Sequence, residues 1–172
     1  MQKHANNKLK ISLLVAFVTI TPIILVCGCM QNTNKTVVMN AQQLYDDIIV
    51  ENKEDSYLFD YKSLEEGDTL IIRDVISNIS YNKEHNATRV TFTYGKNQTY
   101  SPAFEGNLTG LFMVGDLVEI TVHIKHVKFE YNNRLYDLEV YSEQWVDEEY
   151  FKTHFAPFGG MKPLPAKCIR KV

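Results

Sequence analysis

The spacing of apolar positions changes several times along this chain, and each change predicts a different element. Ile11 to Val26 is an almost unbroken apolar run of about 16 residues, shorter than the roughly 20 that cross a bilayer as a helix, and Pro22 interrupts it. Asn40 to Asn52 (NAQQLYDDIIVEN) sets Leu44, Ile48 and Ile49 at helical spacing behind Asn40, a good N-cap. From Thr69 the period falls to two. Thr69 to Ile79 (TLIIRDVISNI) predicts a strand whose phase switches near Arg73-Asp74, as at a bulge or bend. In Thr88 to Tyr94, Val90, Phe92 and Tyr94 alternate with Arg89, Thr91 and Thr93. After a turn at Gly95-Lys96-Asn97, Thr99 to Phe104 is a short strand that Pro102 assigns to an edge. Asn107 to Phe112 reads as a connector. Leu117 to Phe129 is the longest strand pattern, and Asn132-Asn133 turns it into Leu135 to Tyr141. Val146 to Phe155 predicts a second amphipathic helix.

Five strands with a break between the third and fourth are the layout of an OB-fold, a small, partly open Greek-key barrel. The expected class is therefore an all-β core with flanking helices, carried behind an N-terminal signal or membrane-anchor helix. The boundaries fall at 1–29 for the signal or anchor, 30–38 for a flexible tether, 39–155 for the barrel domain, and 156–172 for a Gly/Pro-punctuated basic tail. An immunoglobulin sandwich would need about seven strands.

The N-terminus adds an address. Lys3, Lys8 and Lys10 precede the apolar run, no acidic residue occurs before Asp46, and Cys27-Gly28-Cys29 follows. A charged start, a short apolar core and small residues at its exit are the layout of a secretory signal. The positive end stays in the cytoplasm, so the rest of the chain faces outward. Val26-Cys27-Gly28-Cys29 resembles a lipobox, which implies cleavage after Gly28 and lipid on Cys29; Cys27 departs from the usual Ala, Ser or Thr. An uncleaved anchor gives the same topology. Either way the expected place is the outer face of the cytoplasmic membrane, held by lipid on Cys29 or by the apolar segment.

Composition refines this picture. Without the signal, roughly 140 residues remain, enough for one compact domain. Net charge is −3 with interspersed signs, although Lys162, Lys167, Arg170 and Lys171 make the tail basic. That tail is expected to lie on an acidic face of its own domain. Of the three cysteines, Cys168 has no partner once Cys27 and Cys29 are accounted for, so neither a disulfide framework nor a cysteine zinc site is expected. Asn-x-Ser/Thr sequons begin at Asn34, Asn78, Asn86, Asn97 and Asn107, where chance gives about one or two. In an exported protein these are candidate glycan sites on exposed turns, with unmodified polar turns as the alternative.

A helix reading AQQLYDDIIVEN, then GDTLIIRDVISNI, then FEGNLTGLFMVGDLVEITVHI resembles the OB-fold lipoproteins grouped as tRNA-anticodon-like domains, over about residues 38–145. The VGDLVEITVHI strand, with a tail carrying a lone cysteine and basic residues, is similar to secreted archaeal proteins of unknown function. The resemblance implies the barrel shape; it does not by itself imply nucleic-acid binding.

Chemistry is sparse. His123 lies on the polar side of its strand beside Glu119, Thr121 and Lys125, and Glu148, Glu149 and His154 match no established metal spacing. No Gly-x-Ser-x-Gly elbow and no phosphate loop occurs, so neither catalysis nor a cofactor is expected. Two functions remain. In the first, a binding module uses Arg89, Tyr100, Phe104, Tyr131 and Arg134 on the barrel face to hold a small molecule, glycan or peptide. In the second, an interaction protein docks on an envelope complex through helix Asn40–Asn52 or the tail. A roomy pocket on the barrel face would favour the first; an exposed apolar patch elsewhere would favour the second. The mild acidity, the single charge on the outer side of Thr88–Tyr94 and the exported compartment argue against nucleic acid as a partner. Intact mass of the membrane-extracted protein tests the address: loss of residues 1–28 with added lipid on Cys29 is the expected result, and an unlipidated chain that keeps Met1 would refute it.

Overall fold

The computed structural model describes residues 34–154 and 162–172. The signal or anchor segment with Cys29, residues 30–33 of the tether, and the start of the tail lie outside the described residues. No helix among the described residues is long and apolar enough to cross a membrane.

The chain folds as a mostly β, curled half-barrel with two short helices, consistent with an OB-like fold. Strand β1 (Thr36–Met39) leads into helix α1 (Ala41–Asp47), followed by β2 (Ile48–Asn52), β3 (Ser56–Tyr61), β4 (Thr69–Val75) and β5 (Asn78–Asn82). Then come β6 (Ala87–Tyr94), β7 (Gln98–Tyr100), β8 (Ala103–Glu105), β9 (Leu117–Tyr131) and β10 (Arg134–Tyr141). Helix α2 (Glu148–His154), a single 3-10 turn (Ala166–Cys168) and β11 (Ile169–Lys171) end the chain. The larger sheet runs β1-β4-β9-β10-β3-β2 with β11 beside β9; the smaller runs β5-β6-β7, with β8 also on β6.

The five expected strands are present as β4 with β5, β6, β7 with β8, β9, and β10. Their pairings run in the order third, second, first, fourth, fifth. Closing a barrel from that order would bring β7 or β8 against β10. Instead β3 pairs with β10 in parallel, Leu135 opposite Ser56. Leu164 from the tail bridges Phe104 in β8, donating its N–H to Ala103 O at 2.8 Å and accepting from Glu105 N at 2.8 Å. Both edges that would meet are thus taken, and the sheet stays open. Its two ends touch only through side chains, the Tyr100 and Tyr141 hydroxyls lying 3.3 Å apart. Tyr61 backs this seam, and burial raises the pKa of all three phenols.

Several local expectations are corrected. Helix Asn40–Asn52 is half its expected length: Asn40 caps it in a capping box with Gln43, but Ile48 is already extended. The β-branched run Ile48-Ile49-Val50 pairs with β3 rather than continuing the helix. Strand β1 begins inside the segment read as tether, and β3 lies between the expected helix and the first expected strand, where no element was expected. The phase of the first barrel strand switches after Ile76, not at Arg73-Asp74; Ile76 is still 1 % exposed, and Asp74 turns inward to accept Ala41 N–H at 3.0 Å. Pro102 splits the third strand without removing it, because β7 and β8 both pair with β6. Asn132 and Asn133 do form the hairpin turn, both at positive φ (52° and 60°).

The main core collects the inward side of both sheets: Leu70, Ile72, Val90, Phe92, Phe104, Val118, Ile120, Val122 and the tail's Leu164 are all fully buried. Past Ile124 the buried side of β9 shifts from even to odd positions. Val127 and Phe129 then build a second core with Tyr136, Leu138, Val140 and Phe151 of α2. Phe129 stacks on Tyr136 at 5.3 Å and meets Phe151 edge-on at 5.1 Å. One strand therefore serves two cores on opposite faces.

The chain ends are fixed by charge. Asp68 is buried; burial pushes its carboxyl up, but N–H bonds from Lys35 and Glu65 at 2.9 Å each, with the Lys35 ammonium, outweigh this and hold it below its usual range. Gly67 supplies the turn beside it at φ +92°, where an added Cβ would lie 2.7 Å from the Asn34 side chain. At the other end of the sheet, Glu119 sits between its two cross-strand partners, Arg73 on β4 and Arg170 on β11. Each arginine gives Nε and Nη2 to one carboxylate oxygen, with Nε at 2.8 and 2.9 Å. Lys171 bonds Asp116 at 2.7 Å and Lys162 faces Glu105 at 3.3 Å, so the basic tail does dock on acidic groups of its own domain.

Two predictions follow from these charges. Glu119→Gln should release β11, giving a lower melting temperature and rapid trimming of the C-terminal residues by carboxypeptidase; an unchanged tail lifetime would refute the clamp. Burial first, then the neighbouring Asp60 carboxyl, raise Glu139 to about 7 from its ordinary 4.5. The folded state thus favours protonated Glu139. Its stabilising share is full below pH 4.5 and declines as pH rises to about 7. Glu139→Gln should remove that slope and stabilise the protein at pH 8 by about 1 kcal/mol, after discounting for solvent. Thermal melts across pH 4–8 read it directly.

Candidate interaction faces

The outer face of the small sheet is where an OB-type groove would lie. Along β6, Val90 and Phe92 are buried, which turns Arg89, Thr91 and Thr93 outward. Their neighbours are short and polar. Ser80 and Ala103 flank Arg89, and Asn78 stands opposite Thr91. Hydroxyls join across the strands: Thr93 Oγ1 donates to Ser77 Oγ at 2.9 Å, and Ser101 Oγ to Thr91 Oγ1 at 3.1 Å. The face is a flat lattice of hydroxyls and amides with one guanidinium.

The five residues read from the sequence as one binding surface do not meet there. Arg89 is exposed on it. Phe104 is 0 % exposed and belongs to the main core, because the even phase of β8 faces inward. Tyr100 also turns inward, stacking on Phe92 at 6.1 Å and bonding Tyr141. Tyr131 and Arg134 sit across the β9–β10 hairpin, in the other sheet. Tyr131 packs on the second core. The Arg134 guanidinium lies 5.6 Å from the centroids of both Tyr57 and Tyr136, and donates to Ser56 O at 3.1 Å and to Asn52. Arg134 therefore fastens β10 to the β2–β3 hairpin. Ring-bearing strand positions were read as a surface because alternation gives two faces without saying which one is covered.

The cleft beside α2, lined by Val140, Trp145, Tyr150 and Phe151 among others, has a volume of about 10 Å³, space for roughly one water. Among the described residues no three His, Cys, Asp or Glu side chains are placed to hold a metal ion. His123 is engaged by Glu143, Nδ1 to Oε1 at 2.5 Å, and His126 by Asp137 at 2.6 Å. Cys168 is buried, and burial raises its thiol pKa, which makes it a poor nucleophile.

The apolar surface lies elsewhere. On the outside of the large sheet, beyond the arginine pair, Val75, Leu117 and Val172 form one cross-strand row. Val75 is the register partner of Leu117, and Val172 N–H donates to Leu117 O at 3.1 Å. They are 47 %, 40 % and 65 % exposed, large values for aliphatic side chains in paired backbone. The turn that enters β9 adds Leu111, Met113 and Val114, each more than half exposed. Asp116 holds that turn by accepting Met113 N–H at 2.8 Å, and Lys171 keeps its carboxyl below the usual range. The turn beside the row is thus held by a hydrogen bond and an ion pair. Sequence reading missed the row because Val75 and Leu117 occupy ordinary strand positions, and Val172 meets Leu117 only through the docking of β11.

No protein-family model matches this chain, and no curated protein matches it. Solved structures do. A chain of a replication protein A heterotrimer bound to single-stranded DNA is similar over 62 % of this chain and 77 % of its own, at 15 % identity and a TM-score of 0.38. The mitochondrial single-stranded DNA-binding protein Rim1 of S. cerevisiae is similar over 44 % of this chain and 89 % of its own, at 16 % identity and a TM-score of 0.27. The expectation that set nucleic acid aside as a partner does not stand, since these structures are of single-stranded DNA-binding proteins.

Proposed function

We propose that this chain is an exported, membrane-tethered interaction module of the OB-like kind, related in architecture to the tRNA-anticodon-like lipoproteins, which acts by binding rather than catalysis. It docks a protein partner through the row Val75, Leu117 and Val172. The carrying observation is the exposure of that row in hydrogen-bonded backbone at the end of the sheet. Two further observations support it. The tail's Leu164 already occupies the edge of β8, and the cleft beside α2 has water-sized room. The neighbouring arginines sharpen the chemistry of the partner. Arg73 and Arg170 share one carboxylate and remain 50 % and 73 % exposed, leaving one net positive charge beside the apolar row. An apolar contact surface with an acidic rim is complementary.

The test compares the full chain with Leu117→Asp and Arg89→Ala in affinity capture from envelope extracts, with proteins, small molecules and nucleic acid measured together. The expected result is a stoichiometric protein lost at least tenfold with Leu117→Asp and retained with Arg89→Ala. Sedimentation of the purified chain identifies a second copy as that protein. Nucleic acid or a small molecule retained by Leu117→Asp and lost with Arg89→Ala would overturn the reading and move function to the small sheet.

A further inference from the structure

Five sequons invite sugar, but the fold does not treat them alike. All five asparagines are exposed, so a glycan on any of them is compatible with the folded domain. The difference lies in the hydroxyl two residues later, which a transferase must also reach, because it recognises the Asn-x-Ser/Thr unit. Thr88, the hydroxyl of the Asn86 sequon, is 0 % exposed. Its Oγ1 donates to Gly106 O at 2.7 Å and accepts Leu108 N–H at 2.9 Å, so both its donor and an acceptor site are used inside the core.

Asn97 and Asn107 are built the other way. Asn97 stands at φ +92° in the β6–β7 turn, and its hydroxyl residue Thr99 is exposed. Asn107 lies in irregular backbone after β8, with Thr109 exposed as well. Thr109 donates both its N–H, at 3.1 Å, and its hydroxyl, at 2.7 Å, to Asn107 Oδ1. These two hydrogen bonds hold the Asn107 carbonyl oxygen and make no use of Nδ2, the atom that would take the sugar. Asn34 and Asn78 are intermediate. Their hydroxyl residues Thr36 and Ser80 are exposed, but Asn78 itself lies within β5 and the Asn34 side chain lies against Gly67.

From this we infer that Asn97 and Asn107 are N-glycosylation sites readable on the folded domain, whereas Asn86 can be modified only before Thr88 enters the core. The donor is an oligosaccharide carried on a polyprenyl pyrophosphate. A C–N bond forms between Asn Nδ2 and the anomeric carbon as the anomeric C–O bond breaks. The electron pair leaves with the pyrophosphate, and the amide proton passes to a base of the transferase. The inference rests on export, since the donor and transferase work on the far side of the membrane.

The test has two arms that separate it from export. In one, the purified, folded full chain in detergent meets an oligosaccharyltransferase and its lipid-linked donor; in the other, the chain is synthesised into membranes carrying the same enzyme. Peptide mass gives the occupancy of each site. On the folded chain Asn97 and Asn107 should be occupied and Asn86 at least tenfold less, and Asn97→Gln and Asn107→Gln should each remove one glycan. During synthesis Asn86 should become occupied too. Equal occupancy of Asn86 and Asn107 on the folded chain would overturn the inference, as would absence of sugar from both Asn97 and Asn107. Failure of export shows separately, as a chain unmodified in the membrane arm that still accepts sugar in detergent.

Discussion

Everything in this fold hangs on the register of β9. Its 15 residues pair with β4 on one side and with β10 and β11 on the other. A slip of one residue would turn Val118, Ile120 and Val122 out and drive Glu119 into the main core. The two arginines on Glu119 penalise that slip, since a carboxylate inside the core would lose both partners and its solvent together. The same clamp draws the C-terminal strand into the sheet, which in turn sets Val172 beside Leu117. Register, tail docking and the apolar row are one arrangement seen from three sides.

The strands that bury a strict alternation were legible without coordinates: β6, the N-terminal half of β9, and β10 with its Asn-Asn turn. Their side-chain period left one choice of buried face. Segments governed by tertiary partners were not. Ile48-Ile49-Val50 fits a helix stripe and a strand equally well, and only the presence of β3 decides. Ser56–Tyr61 carries rings at successive odd positions but sits among acidic residues, so its burial depends on β10 arriving beside it. The sites fared worse than the fold. Tyr100 and Phe104 were counted as surface because periodicity distinguishes two faces of a strand without naming the covered one, and Tyr131 and Arg134 were grouped with them across a gap that only topology reveals.

The open barrel also changes what its groove can offer. In a closed barrel, strand ends leave a mouth between loops; here Leu164 fills one margin and β3 extends the other. What remains on the small sheet is a flat hydroxyl surface with a single guanidinium, while apolar exposure is concentrated at the end of the large sheet.

The tyrosine seam has a consequence for how the molecule comes apart. Tyr100, Tyr141 and Tyr61 are neutral, buried and raised above the ordinary phenol range, so each stabilises the fold below pH 10 and ceases to do so as alkali ionises it. The carboxylates on the arginines behave in the opposite sense: Glu119 is held below its ordinary 4.5 and loses its hold as acid protonates it. Base therefore weakens the ring-lined join of the half-barrel, and acid weakens the clamp on the tail at the far end of the sheet.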